Sequence, residues 1–438
     1  MRKNLSKAGL FAFVLVQGNA ALAAYAPGDD YLGWGDQSSG KVLKTFADGA
    51  DGLEWERLAN VLVRPDGSSI TVGRIRDNPN AIYRIGLEKL TPTGAHDAAF
   101  GTYSGFAASN LDDGHLPAIG ATLDPQGHVI AVTRQGRICR FNGDSGLPMP
   151  FNNSTAHCIV KPWGNLSNVS IEAIASVGGG KIVLIGNQIA QNTSNGFVTR
   201  LLSDGTPDPA FGTGGVSVFL PADVYWLQFH AVAETSNGKL AIAGEGFNNI
   251  DGTDTAYLMR LSANGLADAW PTAQVNPDDL EAAFYGIAAV DNPNSTEDDI
   301  VAVGTAGNSG LIARFDAVKN EIIHRLVSYD ENKWLIFGNV AVADGRIIAL
   351  SVQNWAVIAR FLPDLTSDIS FAQGGFRTLD IDGGDGGIQS GDIRVAALAV
   401  RGDAAYAARL FSFDPPAQIT KLHLHDDDVI FANGFELN

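Results

Sequence analysis

The chain has 438 residues, a formal net charge of −18 at pH 7 and 45% hydrophobic residues. This length fits two or three ordinary domains or one large repeat fold, and the apolar content suffices for a sizeable core. The negative charge argues against nucleic acid and anionic membrane surfaces as partners. Because the chain has 50 glycines and only 30 lysines and arginines, many short strands and tight turns are favoured over long helices.

The N-terminal residues 1–23 have the pattern of a signal peptide. Basic side chains precede an apolar run at residues 8–16, and Ala21-Leu22-Ala23 offers a small-residue cleavage site. The apolar run is much shorter than the roughly 20 residues that span a bilayer. We therefore expect an exported protein that ends in the periplasm, on the cell surface or outside the cell. No later stretch of the sequence is apolar enough to predict a membrane span.

One template recurs along the chain and is most complete at residues 200–215, RLLSDGTPDPAFGTGG. It joins the end of a strand to an Asp-Gly turn, an aspartate eight residues after the arginine and a phenylalanine eleven residues after it. Its copies lie about 55 residues apart, as in a structural repeat. The copies begin at Lys89, Arg140, Arg200, Arg260, Arg314, Arg360 and Lys421.

A hairpin precedes most copies of the template, as in residues 231–245, AVAETSNGKLAIAGE, where two alternating strands flank an Asn-Gly turn. One unit is thus four short antiparallel strands, which is the pattern of a propeller blade. Seven units predict an all-β fold, a single seven-bladed β-propeller of four-stranded antiparallel blades over residues 27–425. Residues 41–46 form an isolated strand that we expect to pair with the last blade and close the ring, removing a free sheet edge.

The motif R-L-x-x-D-G-x-x-D-x-x-F-G-x-G-G, preceded by its hairpin, resembles the delta-60 repeat of large exported bacterial proteins. The resemblance covers most of residues 33–425 and implies a propeller-like domain of unassigned activity, with no catalytic residues to transfer. Residues 426–438 contain IFANGFE, which resembles a short C-terminal tail on exported proteins of some gammaproteobacteria. That resemblance implies a sorting or recognition tail, and a disordered acidic end is the alternative.

The aspartates at the eighth template position are Asp97, Asp208, Asp268 and Asp368. Because they recur, we interpret them as structural side chains that cap backbone N–H groups in the blade turn. The acidic loop LDIDGGDGG differs, since its oxygen ligands suit Ca²⁺, and its candidate ligands are Asp380, Asp382 and Asp385. A solvated turn is the alternative for this loop.

Four tryptophans stand shortly before the first strand of a unit, and Tyr285 has a similar place in the fifth unit; the tryptophans are Trp55, Trp163, Trp226 and Trp334. Since the first strand of a propeller blade lines the central channel, these rings are candidates for a binding site around one channel mouth, suited to sugars or peptides. Packing between blades also needs large aromatic rings and remains the alternative. Cys139 and Cys158 either form a single disulfide, as an exported protein allows, or are buried free thiols.

The sequence shows no convincing nucleophile–base pair, metal motif or cofactor loop. It therefore favours an exported, non-catalytic binding propeller whose partner is an unknown protein, peptide or glycan and which has no cofactor, with calcium as the alternative. A propeller enzyme, a hydrolase or lyase using channel carboxylates, is the first alternative, because propeller sites draw single residues from several blades and leave no local motif. A structural surface protein is the second.

Overall fold

The computed structural model describes residues 26–424, except 28, 36–38, 40, 45–52, 78–81, 103–104, 110–117, 152–155, 164–165, 191–192, 222–223, 249–251, 269–272, 330–333, 352–356, 380–395 and 410–416. Within these residues the chain forms 28 β-strands and two short 3₁₀ helices, Gly178–Gly180 and Pro277–Asp279. No helix in the described part is long and apolar enough to cross a membrane.

The strands form seven four-stranded antiparallel sheets, numbered here as blades 1 to 7. The first strands of blades 1 to 7 are β2 (Leu53–Val63), β6 (Ala118–Leu123), β10 (Val169–Val177), β14 (Val224–Glu234), β18 (Ala282–Val290), β22 (Phe337–Ala343) and β26 (Ala396–Arg401). The second strands are β3 (Ser69–Asp77), β7 (Val129–Thr133), β11 (Lys181–Ala190), β15 (Leu240–Asn248), β19 (Asp299–Ala306), β23 (Arg346–Ser351) and β27 (Ala404–Arg409).

The third strands are β4 (Ile82–Leu90), β8 (Arg137–Phe141), β12 (Thr193–Leu201), β16 (Asp254–Leu261), β20 (Ser309–Asp316), β24 (Val357–Phe361) and β28 (Ala417–His423). The outer strands, again from blade 1 to blade 7, are β5 (Phe106–Ala108), β9 (Cys158–Val160), β13 (Val216–Phe219), β17 (Ala273–Val275), β21 (Glu321–Val327), β25 (Phe376–Thr378) and β1 (Lys41–Lys44). Blade 7 is therefore the one blade completed by a strand from the other end of the chain.

The blades form a closed ring. The first strand of every blade contacts the first strands of both neighbouring blades, including β2 of blade 1 against β26 of blade 7. These strands therefore surround the centre of the ring. The N-terminal strand β1 pairs antiparallel with β28, with Lys41 opposite Thr420. Both the seven-bladed fold and its closure by the N-terminal strand are confirmed.

The hydrophobic core is divided among the blade interfaces, with a separate cluster of buried side chains between each pair of neighbouring blades. The template phenylalanine belongs to this core, and Phe211 of blade 3 is completely buried. It packs on the turn of blade 4, where a Cβ on Gly265 would lie 2.7 Å from the ring. Gly265 also has a φ of +80°, which favours glycine, so shape and backbone both require glycine in this turn.

The template arginine and aspartate form an ion pair within a blade, and the arginine also contacts the neighbouring blade. In blade 3, Arg200 Nε donates to Asp208 Oδ2 at 2.8 Å, and Asp208 Oδ1 accepts from the Ala210 amide at 3.0 Å. The Arg200 guanidinium lies 4.6 Å from the centre of the Phe211 ring and donates to the Ala263 carbonyl of blade 4. The aspartates thus have the structural role that their recurrence predicts, with an added ionic contact that the sequence reasoning did not include.

Candidate ligand-binding site in the cleft of blades 2 to 4

A β-bulge occurs near the start of the first strand in six of the seven blades, as far as the described residues show. At each bulge one residue has no partner in the second strand, which bends the strand and changes the direction of nearby side chains. The bulge residue is Glu172 in blade 3 and Tyr285 in blade 5, and blade 4 has two bulges, at Tyr225 and at His230. Glu172, His230 and Tyr285 follow the same kind of register shift, so three different side chains occupy corresponding positions in neighbouring blades.

Glycines at the corresponding place in the second strand explain the bulges of blades 3, 4 and 5. Gly186, Gly244 and Gly304 pair with the residue that precedes each bulge. A Cβ at these glycines would lie only 1.8 to 2.0 Å from a carbonyl oxygen of the first strand. The two backbones can approach this closely only because no side chain intervenes.

A cleft of about 440 Å³ lies beside these bulges, formed by side chains from blades 2, 3 and 4. This volume falls within the range of about 300–1,000 Å³ that is usual for small-molecule sites. The lining residues are Arg134, Ser170, Glu172, Asn187, Ile189, Thr193, Ser194, Trp226 and Gln228. Trp226 is the one residue of the predicted aromatic set that lines it.

The charged groups of the cleft neutralise each other. Arg134 Nη1 donates to the Glu172 carboxylate across the boundary between blades 2 and 3. Ser170 Oγ donates to Glu172 Oε1 at 3.1 Å. Asn187 Oδ1 accepts the Phe229 amide at 3.0 Å and so joins blade 3 to the first strand of blade 4. These contacts fix the walls of the cleft across three blades.

Two polar side chains in the cleft remain available to a ligand. The Ser194 hydroxyl is buried and has no hydrogen-bond partner among the described residues. The Gln228 side-chain amide likewise makes no hydrogen bond to a residue in the described ranges. Both lie in the same lining as the half-buried Trp226. An aromatic ring and unsatisfied polar groups in one concavity are typical of a ligand site.

A second cluster of polar side chains, formed by His230, Glu245 and Tyr285, includes a residue farther along β14 than Gln228. His230 Nε2 is 3.1 Å from Glu245 Oε1, and the rings of His230 and Tyr285 are 5.1 Å apart between their centres. Burial raises the pKa of Asp254 above its usual value, and the nearby charges of Glu245 and Glu281 raise it further. Negative charge is therefore concentrated around Asp254.

The other predicted aromatic residues have different surroundings. Trp163 is only 6% exposed and packs edge-on against Phe197, 5.4 Å away between ring centres, in the core between blades 2 and 3. Trp334, just before blade 6, is 62% exposed. Trp55 pairs with Ile75 in blade 1, and its side chain lies outside the described part of the structure.

Cys139 and Cys158 form a disulfide between facing positions of β8 and β9, which resolves the two alternatives left by the sequence. Asp380, Asp382 and Asp385, the calcium candidates, lie outside the described residues, as do residues 1–23 and the tail at 426–438. Sequence reasoning did not select Arg134, Glu172, Gln228 or His230. The recurring glycine in the second strand was the signal that could have indicated the bulges and the residues on them.

The family model described as "Domain of unknown function (DUF5122) beta-propeller" matches residues 180–211 and 235–269. These segments cover the second and third strands of blades 3 and 4, the two blades that form most of the cleft. The chain is a propeller repeat protein.

No curated protein matches this propeller repeat protein significantly. Among solved structures, the C-terminal WD40 domain of Sif2 is 12% identical, with a TM-score of 0.42, over 84% of this chain and 81% of that chain. This similarity is too distant to indicate a function.

Proposed function

We propose that this propeller is an exported binding protein that holds its ligand, without converting it, in the cleft of blades 2 to 4. The observation that carries the proposal is the lining itself, where Trp226 stands in one concavity with Gln228 and Ser194, whose side chains have no hydrogen-bond partner within the described part of the chain. The fixed walls support the same function, because a preformed site binds with a smaller loss of conformational entropy.

Export is supported by the signal-like residues 1–23 and by the disulfide between Cys139 and Cys158, a bond typical of oxidising compartments. The resemblance to delta-60 repeats agrees with this location. Cell fractionation tests it directly. The full chain should be found outside the cytoplasm, and a chain without residues 1–23 should remain inside. Equal distribution of the two chains would contradict export.

Binding is tested by thermal unfolding of the purified protein with a panel of oligosaccharides and short peptides. Because binding to the native state adds about 2.7 kcal/mol of stability at a hundredfold excess over Kd, a true ligand raises Tm measurably. Trp226→Ala should abolish the rise. Trp334→Ala is the matched control, since that indole is exposed and does not line the cleft. Rises that persist in Trp226→Ala would place binding elsewhere.

The second candidate is a lyase or hydrolase, favoured by the contacts of His230 with Glu245 and Tyr285. A histidine held by a carboxylate is a common general base. Neither His230 nor Tyr285 lines the cleft, however, so we prefer binding. Chromatography of an identified ligand after prolonged incubation separates the two functions. Cleavage that is lost in His230→Ala would establish the enzyme.

A further inference from the structure

We propose that the cleft of blades 2 to 4 recognises an uncharged saccharide of one or two rings, an inference that rests on the binding function proposed above. Its volume of about 440 Å³ suits a small ligand rather than a long polymer segment. Three features of the lining support this ligand class: its charge, the kind of groups it leaves free, and its rigidity.

The charge balance excludes strong recognition of an ion. Arg134 and Glu172 are the two charged residues among the described lining, and they bind each other. No lining charge is therefore left to compensate a carboxylate or an ammonium group, and burying an uncompensated charge is costly. The net charge of −18 further disfavours anionic ligands.

The free groups match a sugar ring. A saccharide has apolar C–H faces and hydroxyl groups at its edges, so it needs an aromatic surface and neutral hydrogen-bonding groups together. Trp226 supplies the first, and the Gln228 amide and Ser194 hydroxyl supply the second. An amide and a hydroxyl can each donate and accept, as sugar hydroxyls also do. A purely apolar ligand would bury both groups without partners.

The lining is also held in place before binding. Arg134, Glu172 and Ser170 hold one wall together, and Asn187 accepts a hydrogen bond from the Phe229 amide in the middle of β14. Sugars gain little from each hydrogen bond in water, so binding depends on groups that need no reorganisation.

The test is isothermal calorimetry of the purified protein with neutral sugars: glucose, galactose, mannose, N-acetylglucosamine and their β-linked disaccharides. Glucuronic acid and glucosamine are the charged controls, and a library of neutral and charged tetrapeptides is the control for peptides. We expect at least one neutral sugar to bind at least tenfold more tightly than either charged sugar. Tryptophan fluorescence should change on binding.

Two variants locate the site. Trp226→Ala should reduce the affinity for the sugar at least tenfold, whereas Trp334→Ala should leave it within twofold. Gln228→Leu should reduce affinity with an unchanged Tm, which separates ligand contact from folding. An unchanged affinity in both Trp226→Ala and Gln228→Leu would overturn the assignment.

The outcomes distinguish this inference from the proposed function. Binding of a tetrapeptide or charged sugar that depends on Trp226, without binding of any neutral sugar, overturns the saccharide and keeps the binding site. If no sugar or peptide binds, both proposals fail.

Discussion

The blade interfaces repeat the same contacts, whereas the bulge position of the first strand carries a different side chain from blade to blade. Arg200, Asp208 and Phe211 of blade 3 recur in blade 6 as Arg360, Asp368 and Phe371, with the guanidinium 4.9 Å from the ring centre. At the bulge, by contrast, the side chain changes from Glu172 to His230 to Tyr285 in successive blades. In a repeat protein, identical residues at one position indicate the scaffold, whereas a position that differs between blades can take separate roles, and of these three residues Glu172 lines the cleft.

The largest expected effect comes from the interface. Phe211→Ala removes a completely buried ring and leaves a cavity between blades 3 and 4. We expect a loss of about 3–5 kcal/mol in the free energy of unfolding, measured by denaturant titration. Trp334→Ala, at an exposed ring, should change it by less than about 0.5 kcal/mol. A similar loss in the two variants would show that the interface is not specially packed.

Because of the interface ion pair, the free energy of unfolding should decrease at low pH. Burial alone would raise the pKa of Asp208, but hydrogen bonds from Lys181 and Ala210 and the charge of Arg200 outweigh it, and the pKa lies below its usual 3.8. A pKa lowered by folding stabilises the protein above the unfolded value, and this stability is lost as the pH falls through the folded value.

Asp208→Asn should therefore cost about 1.5–3 kcal/mol at pH 7, because hydrogen bonds to a charged group are lost. Below pH 4 the difference from the parent protein should shrink. Denaturant titrations at pH 7 and at pH 3 measure both values. A constant difference at the two pH values would mean that the carboxylate charge does not contribute.

A variant of the bulge tests how the scaffold supports the site. Gly244→Ala would place a Cβ 2.0 Å from the Gln228 carbonyl oxygen, so the strands must separate. We expect a loss of about 1–3 kcal/mol, typical of overpacking, together with weaker ligand binding through the displaced Gln228. Calorimetry and thermal unfolding measure the two effects. Normal affinity in a destabilised variant would show that the bulge does not position the site.

A variant in the cleft should change stability little but should change ligand preference strongly. Glu172→Gln breaks a partly exposed pair with Arg134, so stability should change by less than about 1 kcal/mol. The freed guanidinium should then shift the preference of the cleft towards acidic sugars by at least tenfold. Calorimetry with glucose and glucuronic acid measures this shift. An unchanged preference would contradict the proposed neutralisation.

The fold was predictable because its signals are local. Hydrophobic alternation and Asp-Gly turns define each hairpin without reference to distant residues. Because the last repeat lacks a fourth strand, the isolated strand β1 could be assigned to pair with β28. The site was less predictable, because a bulge depends on the strand opposite. Trp163 and Trp226 both precede or begin a first strand, yet one is in the core and the other lines the cleft. Three-dimensional packing decides between these positions, and spacing along the chain does not.

The pairing of Lys41 with Thr420 also has a consequence for the order of synthesis. The N-terminal strand is made first but can find its partner only after nearly the whole chain has been produced, so the ring closes last. Until then, β28 has one unpaired edge, which is open to pairing with other chains. Closing so long a loop also adds to the entropic barrier and slows folding. A circular permutant that begins at blade 1 and carries β1 directly after β28 would turn this late, long-range step into a local hairpin, and it should fold faster and aggregate less.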